Sequence, residues 1–161
     1  MLIPNMRLSS IVSACILAAG ACYAQGTATA QPATAKPDNS AAKALVDEAS
    51  AHVKHISAEE MRALIGSHAE YTLVDVREPD EWARGHAAGA VNIPRGVLEW
   101  RLEPRVPRKD AKIIVYCRLG WRSVLAAESL QKIGYTNVYS FDGGFEAWTA
   151  AELPVEKPQT P

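Results

Sequence analysis

Cysteine, charge of one sign and long apolar runs are all scarce in this chain. Its 161 residues hold three cysteines, Cys15, Cys22 and Cys117, which is too few for a disulfide scaffold. Lys and Arg number 17 against 18 Asp and Glu, a net charge of −1. That balance excludes the broad basic surface that nucleic-acid binding requires. No Cys/His cluster has metal-ligand spacing, so no metal and no other cofactor is expected. The apolar run from Leu8 to Ala21 is too short for a bilayer span, and no charged stop follows it. What remains, 48% hydrophobic and 22% charged residues, is ordinary globular composition, enough for one domain with attachments.

The scarcity of cysteine sharpens at the N-terminus. Arg7, the Ala-rich run Leu8 to Ala21 and the small-residue sequence Cys22-Tyr23-Ala24 form the pattern of a secretory signal over residues 1–24. A buried N-terminal helix is the competing reading, but no amphipathic stripe supports it. Val12-Ser13-Ala14-Cys15 also resembles a lipoprotein cleavage box, which would give a lipid anchor. The expected location is outside the cytoplasm, in a bacterial periplasm. Cleavage before Gln25 removes Cys15, Cys22 and Arg7, leaving Cys117 alone and 16 basic residues against 18 acidic ones. A single cysteine makes no internal disulfide and has no resolving partner for a dithiol cycle.

Residues 25–40 are mostly Ala, Thr, Pro, Gln and Gly, with no large apolar side chain, and read as a flexible linker. Residues 41–52 predict a helical extension capped by Ser40, with Ala42, Leu45, Val46 and Ala49 on one face. The domain proper is expected over 53–156, with a polar tail at 157–161. Within it, strands are predicted at Val53–Ile56, Tyr71–Val76, Ala90–Asn92, Lys112–Tyr116 and Val138–Phe141. Helices alternate with them. Ser57 and Glu60 make a capping box for the first, which Gly66 stops. Others begin at Glu78, Gly96, Arg122 and Phe145, and Gly85 and Gly134 close two of them. The alternation predicts an α/β fold, a mostly parallel five-stranded sheet with helices on both faces. Ligands bind such sheets beyond the carboxyl ends of the strands.

One strand end carries the chemistry. The β-branched run Ile113-Ile114-Val115 leads through Tyr116 into Cys117-Arg118-Leu119-Gly120-Trp121-Arg122-Ser123 and then at once into a helix. Free N–H groups at a helix start and a curled loop form a nest for negative charge. A thiolate at the base of that nest is favoured, and a thiolate is a nucleophile. Gly120 lets the loop bend, Arg118 and Arg122 offer charge to an oxyanion, and Ser123 can cap the helix. A lone cysteine is often a buried structural residue; the glycine, the second arginine and the helix start favour the nucleophile. The arginines could equally be carboxylate partners, Arg118 more readily than Arg122. Trp121 either walls the pocket mouth or simply packs.

The loop from Cys117 to Ser123 resembles the active-site loop of the rhodanese family of sulfurtransferases. Leu73-Val74-Asp75-Val76-Arg77-Glu78 with Glu81-Trp82, and Gly85-His86 through Ile93-Pro94, are similar to that family's upstream signature. Asp142-Gly143-Gly144-Phe145-Glu146-Ala147-Trp148 with Leu153-Pro154-Val155 is similar to its closing helix. The resemblance implies a thiosulfate sulfurtransferase. Cys117 would take a sulfane sulfur from a small sulfur anion, hold it as a persulfide and pass it to cyanide, a thiol or a protein acceptor. Arg118, Leu119, Gly120, Trp121, Arg122 and Ser123 would bind the donor. Asp75 and Arg77 would support the loop through ion pairing, and His86 would be structural, because the relay needs no base. Tyrosine-type phosphatases place five residues between cysteine and arginine; here there are four, which argues against a phosphatase or arsenate reductase. A persulfide carrier or docking module with little turnover of its own is the remaining alternative.

Overall fold

A computed structural model describes residues 38–157. The expected leader, most of the linker and all but the first residue of the polar tail lie outside them. The described chain runs α1 (Ser40–Ser50), β1 (Lys54–Ile56), α2 (Ala58–Gly66), β2 (Thr72–Asp75), α3 (Pro79–Ala83), β3 (His86–Ala87), β4 (Val91–Asn92), a 3₁₀ turn (Arg95–Val97) and α4 (Leu98–Leu102). It continues through β5 (Ile113–Tyr116), α5 (Trp121–Lys132), β6 (Val138–Phe141), α6 (Gly144–Ala150) and β7 (Val155–Glu156).

Five strands form one sheet in the order β1-β6-β5-β2-β4, and all four pairings are parallel. β5 is therefore the central strand, and it is buried throughout because both faces are covered. Its side chains alternate between two cores. Ile113, Val115 and Cys117 face Leu98, Leu102, Ala126, Ala127 and Leu130 from α4 and α5. Ile114 and Tyr116 face Met61 of α2 and Trp148 of α6, with Phe141 between. The period of two thus settles which layer receives Cys117: the one closed by α5.

Local chemistry accounts for most element ends. Ser57 accepts the Glu60 N–H at 3.2 Å while Glu60 accepts the Ser57 N–H at 2.8 Å, a complete capping box. Gly134, at φ +98°, follows α5 as its left-handed C′ residue.

One expectation fails. Ser40 does not cap α1; it is the first helical residue, and Asn39 precedes it without a side-chain cap bond. α2 ends at Gly66 as expected, although this glycine is not left-handed. It lies inside the last turn, and the left-handed residue is His68 at φ +53°. After Leu153-Pro154 the chain forms β7, which pairs antiparallel with β3. These two-residue strands are too short to show any periodicity in sequence.

Candidate active site

Cys117 stands where β5 gives way to α5, and it is 2% exposed. The four residues Cys117 to Gly120 reverse the chain within a single loop. Gly120 adopts φ +100° as the N-cap of α5, a conformation that costs a non-glycine residue about 1 kcal/mol or more. This turn aims the Gly120 N–H at Cys117 Sγ, 3.2 Å away. The α5 ladder begins only with the Val124 N–H bonding to the Gly120 carbonyl at 3.0 Å. The Trp121, Arg122 and Ser123 amides therefore stand at the positive end of the helix, beside the sulfur.

Two further elements hold the loop in shape. The first-turn amides of α6 donate to it, Phe145 N–H to the Cys117 carbonyl at 2.7 Å and Glu146 N–H to the Arg118 carbonyl at 3.2 Å. That approach demands glycine at 144: a Cβ there would lie 2.5 Å from the Cys117 carbonyl oxygen. From below, Ser123 Oγ donates to the Gly120 carbonyl at 2.8 Å and accepts from Ser140 Oγ at 3.0 Å. Ser123 is fully buried. Its side chain caps no N–H and is not among the residues lining the Cys117 pocket described below; it latches the loop to β6.

Above the sulfur lies a small pocket of about 150 Å³ lined by Cys117, Arg118, Leu119, Trp121 and Arg122. Leu119 and Trp121 are exposed at its mouth, 47% and 59%. A larger hollow of about 500 Å³ opens near Tyr71 and Lys112, but no cysteine or serine lines it.

Of the two readings left open for the arginines, the structure shows the carboxylate pairing. Both loop arginines are carboxylate partners. Arg118 pairs with Glu146 at 2.8 Å on the surface, where such pairs contribute little. Arg122 makes a two-pronged contact, Nη1 to Glu81 Oε2 and Nη2 to Glu81 Oε1, both 2.8 Å. Glu81 also accepts the Glu78 N–H at 3.1 Å, which fixes it at the start of α3. The Arg122 bonds, outweighing burial, hold the Glu81 carboxyl down at about 2. Glu81 in turn raises the Arg122 guanidinium above its ordinary range against burial, and the Cys117 sulfur adds to the effect. The sequence placed Glu81 in the upstream signature but not beside Arg122; its pairing with a residue 41 positions on is a tertiary event.

Asp75 and Arg77 form a buried pair, with Arg77 Nη2 to Asp75 Oδ2 at 2.6 Å. Arg77 also donates to the Gly85 carbonyl at 2.8 Å and lies 4.2 Å over the Phe145 ring. Burial disfavours its charge and the Asp75 carboxylate restores it, leaving Arg77 raised. The pair reaches the cysteine loop through Phe145, whose amide holds the Cys117 carbonyl. His86 is buried against Trp82, ring centroids 3.3 Å apart, and is absent from the Cys117 pocket.

A sulfurtransferase from Allochromatium vinosum is 33% identical over 107 residues, 66% of this chain and 98% of its own length. A structure from Rhodopseudomonas palustris, of a protein of unknown function called a "Possible Tyrosine Phosphatase", matches at TM-score 0.66 and 34% identity. That match covers 78% of this chain and 99% of that one. The crystal structure of a thiosulfate sulfurtransferase from Pseudomonas aeruginosa matches at TM-score 0.67 and 30% identity, over 74% of this chain but 23% of that one. The model of the rhodanese-like domain matches residues 57–151. The chain belongs to the rhodanese-like domain family.

Proposed function

We propose that this protein is a thiosulfate sulfurtransferase that works through a Cys117 persulfide. The observation that carries the reading is the bond from the Gly120 amide to Cys117 Sγ, at the base of a pocket ringed by the start of α5. The Cys117 thiolate attacks the outer sulfur of thiosulfate. The S–S bond of the donor breaks, sulfite leaves with the electron pair, and Cys117 keeps the sulfur as a persulfide. The Gly120 amide and the helix start steady the negative sulfur before and after transfer. A thiol or cyanide then removes the outer sulfur and returns Cys117 to its thiolate. Arg122 adds charge beside the sulfur, but with Glu81 bound to it its part is positioning more than capture. The loop, with four residues between Cys117 and Arg122 where tyrosine-type phosphatases place five, favours sulfur transfer over phosphate hydrolysis.

The test is intact-mass spectrometry after incubation with thiosulfate, paired with steady-state transfer to cyanide. A gain of one sulfur with turnover supports the enzyme. A gain of sulfur without turnover indicates a carrier that serves a partner. Hydrolysis of an aryl phosphate with no sulfur gain would favour the phosphatase reading that the Rhodopseudomonas protein's description raises. Cys117→Ser should abolish loading and leave the fold intact, since serine is small and polar; loading by that variant would refute the assignment.

Residues 1–24 are further proposed as an export leader, on the sequence pattern of Arg7, Leu8 to Ala21 and Cys22-Tyr23-Ala24. N-terminal sequencing of the protein from a bacterial periplasm should begin at Gln25. A lipid-modified Cys15 would replace that reading with an anchor.

A further inference from the structure

A second, larger cavity adjoins the first. Helix α1 lies along the start of α5, and between them runs a cleft of about 560 Å³ walled by Ala42, Leu45, Val46, Trp121 and Leu125. Trp121 and Arg122 line both this cleft and the Cys117 pocket, so the two open onto the same rim. Its volume lies in the range that accepts a whole organic ligand. Leu45 is 53% exposed there, an apolar side chain facing solvent across from an equally exposed indole.

The wall is anchored. Ala49 of α1 is buried, and His55 bridges the end of α1 to the sheet, with Nε2 3.0 Å from Ser50 Oγ and Nδ1 2.7 Å from Asp142 Oδ1. The cations at the cleft are already compensated, Lys43 by Asp47 at 2.5 Å and Arg122 by Glu81 at 2.8 Å. Such a cleft offers nothing to a small polyanion or to cyanide and much to an uncharged apolar body. In the chain that the proposed cleavage before Gln25 leaves, residues 25–37 carry no aromatic or large aliphatic side chain that could fill it.

We propose that the α1–α5 cleft binds the sulfur acceptor, and that this acceptor is an organic thiol with an apolar body. The inference rests on the Cys117 persulfide reading and names its acceptor class. With the body in the cleft, the thiol sulfur reaches over Trp121 into the Cys117 pocket. Its thiolate attacks the outer sulfur of the Cys117–S–SH group. The bond between that sulfur and Cys117 Sγ breaks, a new S–S bond forms on the acceptor, the proton stays on the transferred sulfur, and Cys117 leaves as thiolate.

The experiment compares 2-(2-naphthyl)ethanethiol with 2-mercaptoethanol as acceptors, with thiosulfate as donor and sulfite release as readout. The naphthyl thiol should show a KM at least about tenfold lower, the return for burying one aromatic body. Leu45→Glu and Ala42→Glu, both at exposed positions of α1, should erase that preference while thiosulfate loading and cyanide turnover stay at the parent level. Equal KM values for the two thiols, or a preference that survives both variants, would overturn the proposal. So would transfer to a thiol-bearing protein that is lost in Leu45→Glu when no preference for the naphthyl thiol exists. Calorimetric binding of the inert analogue 2-(2-naphthyl)ethanol reads the cleft without sulfur chemistry. Binding by the parent that weakens about tenfold in Leu45→Glu supports the cleft even if Cys117 never loads; no binding refutes it even if Cys117 does.

Discussion

Gly144→Ala is the sharpest probe of how the site is built. The new Cβ would lie 2.5 Å from the Cys117 carbonyl oxygen and 2.6 Å from both the carbonyl carbon and oxygen of Arg118. All three are backbone atoms of the cysteine loop, so no flexible side chain can yield. Relief requires the loop and α6 to part by about 0.5 Å, enough to take the contact to 3.0 Å. The Phe145–Cys117 and Glu146–Arg118 bonds, 2.7 and 3.2 Å, lie in that gap. That movement stretches the first to about 3.2 Å and breaks the second at about 3.7 Å; the broken bond costs about 1 kcal/mol and alanine at φ +61° adds about 1 more, for about 2 kcal/mol in all. Gly120→Ala is the comparison: its φ of +100° carries at least as much backbone strain, but its Cβ would make only ordinary contacts, with the Gly143 nitrogen at 3.5 Å and Cα at 3.9 Å. Urea unfolding followed by circular dichroism should show Gly144→Ala clearly less stable than Gly120→Ala. Sulfur loading by Gly144→Ala, followed by intact mass, should also fall, since the Cys117 carbonyl loses its anchor. A Gly144→Ala protein as stable as the parent and loading at the parent rate would refute the account of α6 as the clamp.

The remaining predictions concern charge and the latch. Glu81 titrates at about 2 when folded, against 4.5 ordinarily. A carboxyl depressed in this way contributes stability that is complete above about pH 5 and is lost as the pH falls toward 2. Discounted for solvent screening at the partly exposed Arg122, that contribution is about 1 kcal/mol, and Glu81→Gln should lack this component of acid sensitivity. Identical urea midpoints for the two proteins across pH 7 to 3 would contradict the pairing. Arg77→Ala strands the Asp75 carboxylate in the core and should cost about 3–5 kcal/mol by urea unfolding; a cost below about 1 kcal/mol would mean Asp75 has another partner. Ser123→Ala should cost about 1–2 kcal/mol with sulfur loading retained, because its hydroxyl holds the loop from beneath. Loss of loading at unchanged stability would place Ser123 in the donor-binding set.

Legibility followed the range of the interaction. The Ser57–Glu60 capping box and the glycine that closes α5 rest on contacts within a few residues, and the sequence shows them directly. The central strand was legible because Ile113 to Val115 is apolar and β-branched on both faces, which only a covered parallel strand tolerates. Gly143-Gly144 could be read as a turn, yet the reason for the second glycine is a carbonyl 27 residues upstream. Ser123 could be placed beside the loop but not beneath it, because Ser140, its hydroxyl partner, comes from another strand.

By itself, the amino-acid order determined an α/β chain with a parallel sheet, a cysteine at the end of its inner strand and a helix starting beside it. Each of those follows from side-chain period, backbone freedom at glycine and the unpaired amides of a helix start. Only the tertiary structure decided that both arginines of the loop are held by carboxylates, that α6 clamps the loop backbone, and that α1 opens an apolar cleft next to the sulfur. Those outcomes depend on where separate helices land on the sheet. Ion pairs, backbone clamps and cavities all form between groups that the chain keeps far apart until the core closes.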